Sequence, residues 1–495
     1  MNLIKWENIN INSILEFTIQ SNLIISTVTL ILNFLIVIAC NLKQVNTVPS
    51  FMKLWLPISF FIGFFLQLSN LYLFLLQVSW DALSLEHVYT TYTIPYMGVK
   101  ENFLSLDLFG SALITLAYIV GFLSLFNFND KAFWVNLRQS LLFNYFIIIV
   151  IMFVCCDDVY IFFILYELLL LPSFVLVYYN SPNKKGIQAS LYFLIWTQLG
   201  SLLVFLAIMY IVNVSGTSLI SEIRDFNFNL EEVFYLKIIL FLGFGFKIPI
   251  WPFHYWLTKT HVEAPGSFSM YLSGFLVKTA LFGLYKLFLA LNFPSENIIL
   301  LSIASVGVID ASLKMWTQVD LKKLVAFCTI QEMNLIVMCF LFGYSPIVSV
   351  GIIFCFMHAI LSSLMFFLVD CVQRRFQSRQ TAEVVGMAHT SPNLGLSIIF
   401  MVLMYLAIPG TLKFSCEFML FCYLSDISFL LFIIIVIAAS TIAPVAFAKL
   451  WYGCVFGTPK HTALKHNDLS HKELSIILIC LTLLILLSAF FYNYF

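Results

Sequence analysis

Long apolar runs follow one another along this chain, and short polar stretches separate them. A helix needs about 20 predominantly apolar residues to cross the hydrocarbon core of a bilayer. The pattern therefore predicts an all-α polytopic membrane protein with about fourteen transmembrane helices. The predicted segments are residues 22–40, 54–78, 103–126, 139–156, 159–179, 187–213, 233–256, 267–290, 297–313, 321–343, 346–370, 393–424, 427–450 and 473–494.

Composition and charge exclude several classes of function. Hydrophobic residues make up 61% of the chain and charged residues 10%, as expected when most of the surface faces lipid. The net charge is zero and no basic block occurs, so we expect lipids and no nucleic acid among the partners. The eleven cysteines are scattered through apolar segments without a C-x-x-C pair, and we interpret them as small buried hydrophobes.

The loop charges predict the orientation of the helices. Lys and Arg accumulate on the side of a membrane where the chain is made. They concentrate in the odd-numbered loops, whereas the even-numbered loops hold only Lys100 and Arg224. A miscounted helix would scramble this division, so we expect an even number of spans with both termini on the side opposite the basic loops. The first apolar run is long enough to span, and we expect no cleaved signal peptide.

Two predicted segments are interrupted by proline, the seventh at Pro249 and Pro252 and the twelfth at Pro409-Gly410. Breaks at corresponding positions in two halves are typical of inverted repeats whose ion path runs past the discontinuous helices. Ordinary proline kinks are also common in membrane helices, so the prolines alone leave both interpretations open. The repeat interpretation predicts a single membrane domain, residues 1–495, with N-terminal helices that include residues 103–156, two inverted five-helix repeats at 139–290 and 297–450, and a C-terminal helix at 473–494.

Six titratable residues lie near the middle of predicted segments. A charged side chain at that depth costs at least about 2.5 kcal/mol, so such residues usually face a hydrated interior and carry protons or ions. A single buried pair can be purely structural, but six groups in six segments favour a pathway, because each adds its own desolvation cost. A neutral histidine can also be satisfied by one helix–helix hydrogen bond, which leaves His358 open between the two roles. The six residues are Glu167, Lys247, Lys278, Glu332, His358 and Glu417.

A proton relay requires groups that can hold and release a proton. A buried lysine does so when a carboxylate moves toward it or away from it. Glu167 and Lys247 lie near the middle of the fifth and seventh segments, which run in opposite directions. We therefore expect these two side chains to interact, directly or through one water molecule.

The run Lys247–Pro265, KIPIWPFHYWLTKTHVEAP, closely resembles the core of chain 4 of the proton-pumping NADH:ubiquinone oxidoreductase, respiratory complex I. Its pentapeptide HVEAP is more typical of chain 4 than of the paralogous chains 2 and 5. The resemblance covers about residues 100–450. Further similar runs are Leu276–Gly283, Gln318–Phe327, the run that begins at His358, and the run Cys416–Leu420.

The resemblance implies an antiporter-like, proton-translocating subunit of the membrane arm with no redox centre, cofactor or metal of its own. NADH, FMN, the iron–sulfur clusters and ubiquinone would be handled by other subunits, and quinone reduction elsewhere would drive the protons. The implied partners are chain 2-like and chain 5-like neighbours and accessory subunits. The implied location is the mitochondrial inner membrane, with a bacterial plasma membrane as the alternative.

The resemblance also implies a role for each candidate residue. Glu167 and Lys247 would form the gate, Lys278 the central relay and Glu417 the exit group. The family commonly has a histidine at the position of Glu332 in the run CTIQEM, and this chain departs from that pattern. Glu332 is then either a structural acid or a replacement proton carrier, and the second hypothesis predicts that it faces Lys278 or His358.

Two other classes stay open at this point. A subunit of a cation/proton antiporter would use the same fold and similar buried lysines. A haem-binding electron-transfer protein would need histidines that face one another at membrane depth, and His358 is the one histidine clearly at that depth.

Overall fold

The computed structural model describes residues 11–42, 59, 62–72, 92–93, 105–126, 133–180, 183–291, 297–342, 345–458 and 468–491. Nearly all of these residues are helical, which confirms the prediction of an all-α membrane protein. Lys100 and parts of several predicted segments, chiefly in the first hundred residues, lie outside the described residues.

The first of two compact units comprises Met1–Phe122 and Asp130–Leu169. A short antiparallel pair of strands, β1 (Tyr92–Thr93) and β2 (Ser105–Leu106), precedes the third helix. The helices are α1 (Ile11–Leu42), α2 (62–72), α3 (Leu108–Phe126), α4 (Phe133–Cys155) and α5 (Val159–Leu168).

The second unit comprises Leu123–Asn129 and Leu170–Phe495. Its helices are α6 (Leu170–Asn180), α7 (Lys184–Ser215), α8 (Ile220–Asp225), α9 (Leu230–Lys247), α10 (Tyr255–Glu263), α11 (Gly266–Tyr271), α12 (Val277–Ala290), α13 (Ile298–Met315), α14 (Leu321–Leu341), α15 (Ser345–Phe376), α16 (Met387–Thr390), α17 (Pro392–Tyr405), α18 (Leu412–Ile427), α19 (Phe429–Val436), α20 (Ala443–Phe456) and α21 (His471–Phe491).

Both predicted helix breaks are confirmed. The seventh segment divides where α9 ends at Lys247 and α10 begins at Tyr255. The twelfth divides between α17 and α18, where Gly410 has a φ of 97°, a conformation that residues with a Cβ rarely adopt. Thr411 then caps α18 by accepting a hydrogen bond from the main-chain nitrogen of Phe414.

A second pair of irregularities was not predicted. π-Helical turns lie at Leu272–Leu276 in the eighth segment and at Ile437–Ile442 in the thirteenth. Both turns lie inside continuous apolar segments, so the hydrophobic pattern gives no signal for them. These turns are again five segments apart, which agrees with two five-helix repeats.

Eight helices of the described residues are long and apolar enough to span a membrane, and four shorter apolar helices accompany them. Where they are described, the predicted segments coincide with helices or interrupted helices, except that Ser105–Leu106 at the start of the third segment form β2. The total of fourteen spans, the placement of the termini and the division into repeats stay predictions.

The core of the second unit is built on α14. Every residue of this helix except Lys323 is buried, and α13 and α15 pack along it. The stretch Gly266–Ala290 and the helix α15 are almost equally enclosed. Polar residues on these elements therefore face other protein groups instead of lipid.

Close approach of two glycines positions the helix that carries Lys247. A Cβ at Gly200 of α7 would lie 2.5 Å from the carbonyl oxygen of Gly243 and 2.7 Å from the Cβ of Phe246, both in α9. Small residues at such crossings allow the backbones of membrane helices to approach closely. The position of Lys247 thus depends on the absence of side chains at this crossing.

We expect Gly200→Ala to destabilise the second unit by about 1–3 kcal/mol, because the added methyl group forces α7 and α9 apart. The measurement is the thermal unfolding temperature of the purified protein. Gly453→Ala is the matched control, since a Cβ there meets nothing within 4 Å. Equal unfolding temperatures for the two variants would contradict the packing argument.

Candidate proton pathway

Lys278 is fully buried in the second unit, just after the first π-helical turn. Its ammonium group donates a hydrogen bond to the main-chain carbonyl of Ser273, which belongs to that turn. The hydroxyl of Ser273 lies 3.0 Å from the hydroxyl of Thr329 in α14. π Turns occur frequently at functional sites, and here the turn supplies the acceptor for the lysine.

Glu332 lies in the middle of α14 and contacts basic side chains from two other helices. Its Oε1 accepts a hydrogen bond of 2.6 Å from Nζ of Lys413 in α18. Its Oε2 lies 3.3 Å from Nδ1 of His358 in α15. All three side chains are buried. The expectation that Glu332 faces His358 is confirmed, whereas its role in proton transfer stays a prediction.

His358 is a buried ring without a fixed partner. Neither of its ring nitrogens has a hydrogen-bond partner within the part of the chain that the structure describes. Buried polar atoms are normally paired, so each unpaired one calls for an explanation. Nδ1 of His358 lies 3.3 Å from Oε2 of Glu332, so a small rotation of the ring would form a hydrogen bond between them.

Glu417 lies one helical turn after Lys413 on α18. Its Oε1 is 3.6 Å from the Lys413 ammonium nitrogen, and this oxygen has no hydrogen-bond partner among the described residues. Two buried carboxylates, Glu332 and Glu417, therefore flank one ammonium group. One of them is in direct contact, and the other is within the reach of a small movement of the lysine.

Tyr405 forms the wall of this site. It is the last residue of α17, before the break, and Lys413 is the second residue of α18, after the break. The ammonium nitrogen of Lys413 lies 3.7 Å from the centroid of the Tyr405 ring, within the range of a cation–π interaction. The tyrosine hydroxyl donates to Oε1 of Gln331 at 2.7 Å. The break thus brings an aromatic face and a lysine to the same point.

The sequence-based list of candidates missed Lys413. This residue follows Pro409-Gly410 by only a few positions, and it lies nearer the middle of the predicted segment 393–424 than Glu417 does. Two signals could have found it. Lys413 and Glu417 have the i,i+4 spacing of a helical ion pair, and a carboxylate at position 332, where the family commonly has histidine, calls for a cationic partner.

Lys247 is the last residue of α9 and is buried. A cation is favoured at a helix C-terminus by the exposed carbonyl groups there. The preceding carbonyl, that of Phe246, accepts a hydrogen bond of 2.7 Å from the indole of Trp256 across the break. Glu167 lies in the last turn of α5, in the first unit, and is partly exposed. The interaction between Glu167 and Lys247 stays a prediction.

The HVEAP pentapeptide comprises the end of α10 and the link to α11, and two cations donate to its carbonyl groups. The Val262 carbonyl accepts from Arg379 at 2.6 Å and the Ala264 carbonyl from Lys322 at 2.7 Å. His261 is fully buried and its ring stacks on Phe366. Burial, reinforced by the charges of Lys322 and Lys278, lowers the pKa of His261 to about 3. This ring, which lies between two predicted spans, is therefore neutral at physiological pH.

A separate polar cluster lies at the break in the seventh segment. Asp310 Oδ2 lies 2.7 Å from Lys314 Nζ and 3.2 Å from His254 Nε2. These contacts join α13 to the break. In the described ranges, no group of three His, Cys, Asp or Glu residues could hold a metal ion.

Comparison with known proteins identifies the class. The family model described as "NADH:quinone oxidoreductase/Mrp antiporter, TM" matches residues 156–443. The chain therefore belongs to the family of transmembrane subunits shared by NADH:quinone oxidoreductases and Mrp antiporters. Within this family, the chain is 44% identical to "NADH-ubiquinone oxidoreductase chain 4" of Paramecium tetraurelia, over 78% of this chain and 81% of that protein.

Solved structures agree on the fold. A chain of respiratory complex I from Thermus thermophilus with bound NADH superposes with a TM-score of 0.77, at 19% identity, covering 95% of this chain and 96% of that one. A chain of the Mrp complex from Dietzia sp. DQ12-45-1b superposes with a TM-score of 0.76, at 15% identity, covering 98% and 96%. At these identities the similarity establishes the architecture only.

We expect Glu332→Leu to destabilise the protein by about 3 kcal/mol, because it leaves the buried Lys413 ammonium without its direct partner. Adding Lys413→Met should recover most of that loss, since the pair is then replaced by apolar groups of similar size. Thermal unfolding of the two single variants and the double variant measures the coupling. Additive losses in the double variant would show that the two side chains do not interact.

Proposed function

We propose that this chain is the chain 4-type subunit of the membrane arm of an NADH:ubiquinone oxidoreductase and that it translocates protons. The observation that carries the proposal is the buried series Lys278, His358, Glu332, Lys413 and Glu417 in the enclosed core of one unit. Burying five titratable groups on four helical segments costs a large desolvation free energy. If these residues served only to pack the helices, apolar side chains would do so without that cost. The 44% identity to a chain 4 over most of both proteins supports the assignment to the complex.

The proposed path begins at a gate formed by Glu167 and Lys247 and continues to Lys278. From Lys278 the proton passes to the His358–Glu332 pair, and it leaves by way of Glu417. The contact between Glu332 and His358 supports the middle of this path. The helix break before α18 and the π turn before Lys278 lie beside this proposed path and leave backbone groups there that a regular helix would bond internally.

The chemistry that drives the protons belongs to other subunits in this proposal. NADH, FMN, the iron–sulfur clusters and ubiquinone would be bound elsewhere in the complex, and this chain would hold no cofactor. Its neighbours would be chain 2-like and chain 5-like membrane-arm subunits and accessory subunits. The chain 4 relative from a eukaryote supports a multi-pass protein of the mitochondrial inner membrane.

A cation/proton antiporter subunit is the second candidate, because the matched family and the Mrp complex share this fold. The two candidates differ in their partners. A complex I subunit should copurify from mild detergent extracts with flavin-containing and iron–sulfur proteins, whereas an antiporter subunit should not. Copurification with cation-transport subunits alone would refute the first assignment.

We expect Lys278→Met to reduce proton-coupled NADH oxidation by about 100-fold, the lower end of the effect of removing a positioned acid–base group. Assembly should persist, because methionine fills a similar volume and brings no charge into the core. The measurement is proton uptake per electron in vesicles that contain the whole complex.

Lys286→Met is the matched control. Lys286 is also buried on α12, and it lies 5.8 Å from the Phe282 ring, outside the series. This variant should pump as the native complex does. Native proton uptake in Lys278→Met would refute the proposed relay.

A further inference from the structure

We propose that Lys413 is an electrostatic switch that keeps its own proton and moves between two carboxylates, so that arrival of a proton at Glu332 causes release of a proton from Glu417. This inference rests on the proposed function and adds to it a residue that the relay described above does not use. It requires that one ammonium group serve two acids in turn, and the geometry provides this arrangement.

The distances define the starting state. Nζ of Lys413 is 2.6 Å from Glu332 and 3.6 Å from Glu417. The first distance is a direct charge-assisted hydrogen bond and the second is not. The side chains of these three residues are 2–5% exposed, so bulk water does not solvate their charges.

Charge balance makes the two contacts exclusive. One ammonium group can neutralise only one carboxylate, and an unbalanced carboxylate in an enclosed core costs several kcal/mol. The carboxyl group that does not contact Lys413 avoids an unbalanced negative charge by carrying a proton. In the observed geometry Lys413 balances Glu332, so the switch assigns the proton to Glu417.

The transfer step follows from this balance. A proton that reaches the Glu332 carboxylate converts it to the neutral acid, and its attraction for Lys413 falls. The ammonium then moves to Glu417, whose carboxyl group releases its proton toward the exit and becomes the carboxylate partner. One proton has entered at Glu332 and one has left from Glu417, while the lysine stays protonated.

A second step returns the site to its starting state and also conserves the number of protons. The Glu332 acid passes its proton to the Glu417 carboxylate, and the ammonium returns to Glu332. No further proton crosses in this half of the cycle. Other titratable groups that face the site are His358 on α15, Tyr405 at the end of α17 and Cys328 on α14.

Local structure allows the lysine to move. Lys413 lies in the first turn of α18, next to the break whose Gly410 has a positive φ. The ring of Tyr405 faces the ammonium at 3.7 Å and contacts it through its π face instead of a directed hydrogen bond. Such a face tolerates lateral displacement of a cation better than a fixed acceptor does. The flexible four-carbon stem of lysine can cover the remaining distance.

The test compares Lys413→Arg with Lys413→Gln in the whole complex. The switch requires a permanent cation and no proton transfer by residue 413, so we expect arginine to retain at least half of the native proton uptake per electron. Glutamine should lower proton-coupled turnover by about 100-fold. It should also increase the infrared absorption of protonated carboxyl groups, because both acids must then be neutral.

The structural alternative predicts a different pattern. If Lys413 only joins α14 to α18, then Lys413→Gln, which keeps an amide donor toward Glu332 and leaves the relay residues in place, should pump at the native rate. The switch predicts that the assembled Lys413→Gln complex does not pump. Lys413→Met, which removes the charge and adds no polar group, is the deciding variant if Lys413→Gln fails to assemble, and the switch predicts that it does not pump either.

Native pumping in Lys413→Gln or in Lys413→Met would overturn the switch. Lys278→Met separates this outcome from failure of the proposed function. If Lys278→Met loses pumping while Lys413→Gln keeps it, the relay stands and only the switch is wrong. If neither variant changes proton uptake, the proposed function itself is wrong.

Discussion

Lys413, Glu332 and Glu417 are titratable groups that lie where bulk water does not solvate a charge, and the surrounding fold is arranged around that cost. Each charge requires a partner of opposite sign or a proton of its own. This requirement explains why a lysine enters the core beside two acids. It also explains why Glu332 can stand where the family commonly has histidine, since the lysine balances the carboxylate that replaces the neutral ring.

Irregular backbone provides the space for these groups. The break before α18 brings Tyr405 and Lys413 together, and the π turn before α12 presents the Ser273 carbonyl to Lys278. Regular helices would satisfy these backbone groups internally and would offer no acceptor to a buried ammonium. The irregular backbone positions and the titratable groups therefore depend on each other. Departures from ideal helix geometry supply part of the polar environment that these groups require.

Enclosure of α14 makes that environment effective. Because α13 and α15 pack along α14, Glu332 in the middle of this helix interacts with other protein side chains instead of lipid or bulk water. Electrostatic interactions are stronger in such a site than at a surface, so moving one proton can change which groups are paired. In the proposed switch, movement of Lys413 within this enclosed core couples proton arrival to proton release.

The hydrophobic pattern by itself determined the helical class, the approximate segments and both helix breaks, because apolar length and proline position act locally. It also singled out Glu167, Lys247, Lys278, Glu332, His358 and Glu417 by their depth in those segments. Tertiary structure alone decided which of them are in contact. Glu332 on α14 faces His358 on α15, and it pairs with Lys413, which is 81 residues away in the sequence. The π turns likewise had no signature in the sequence, because they depend on how helices pack and not on residue type.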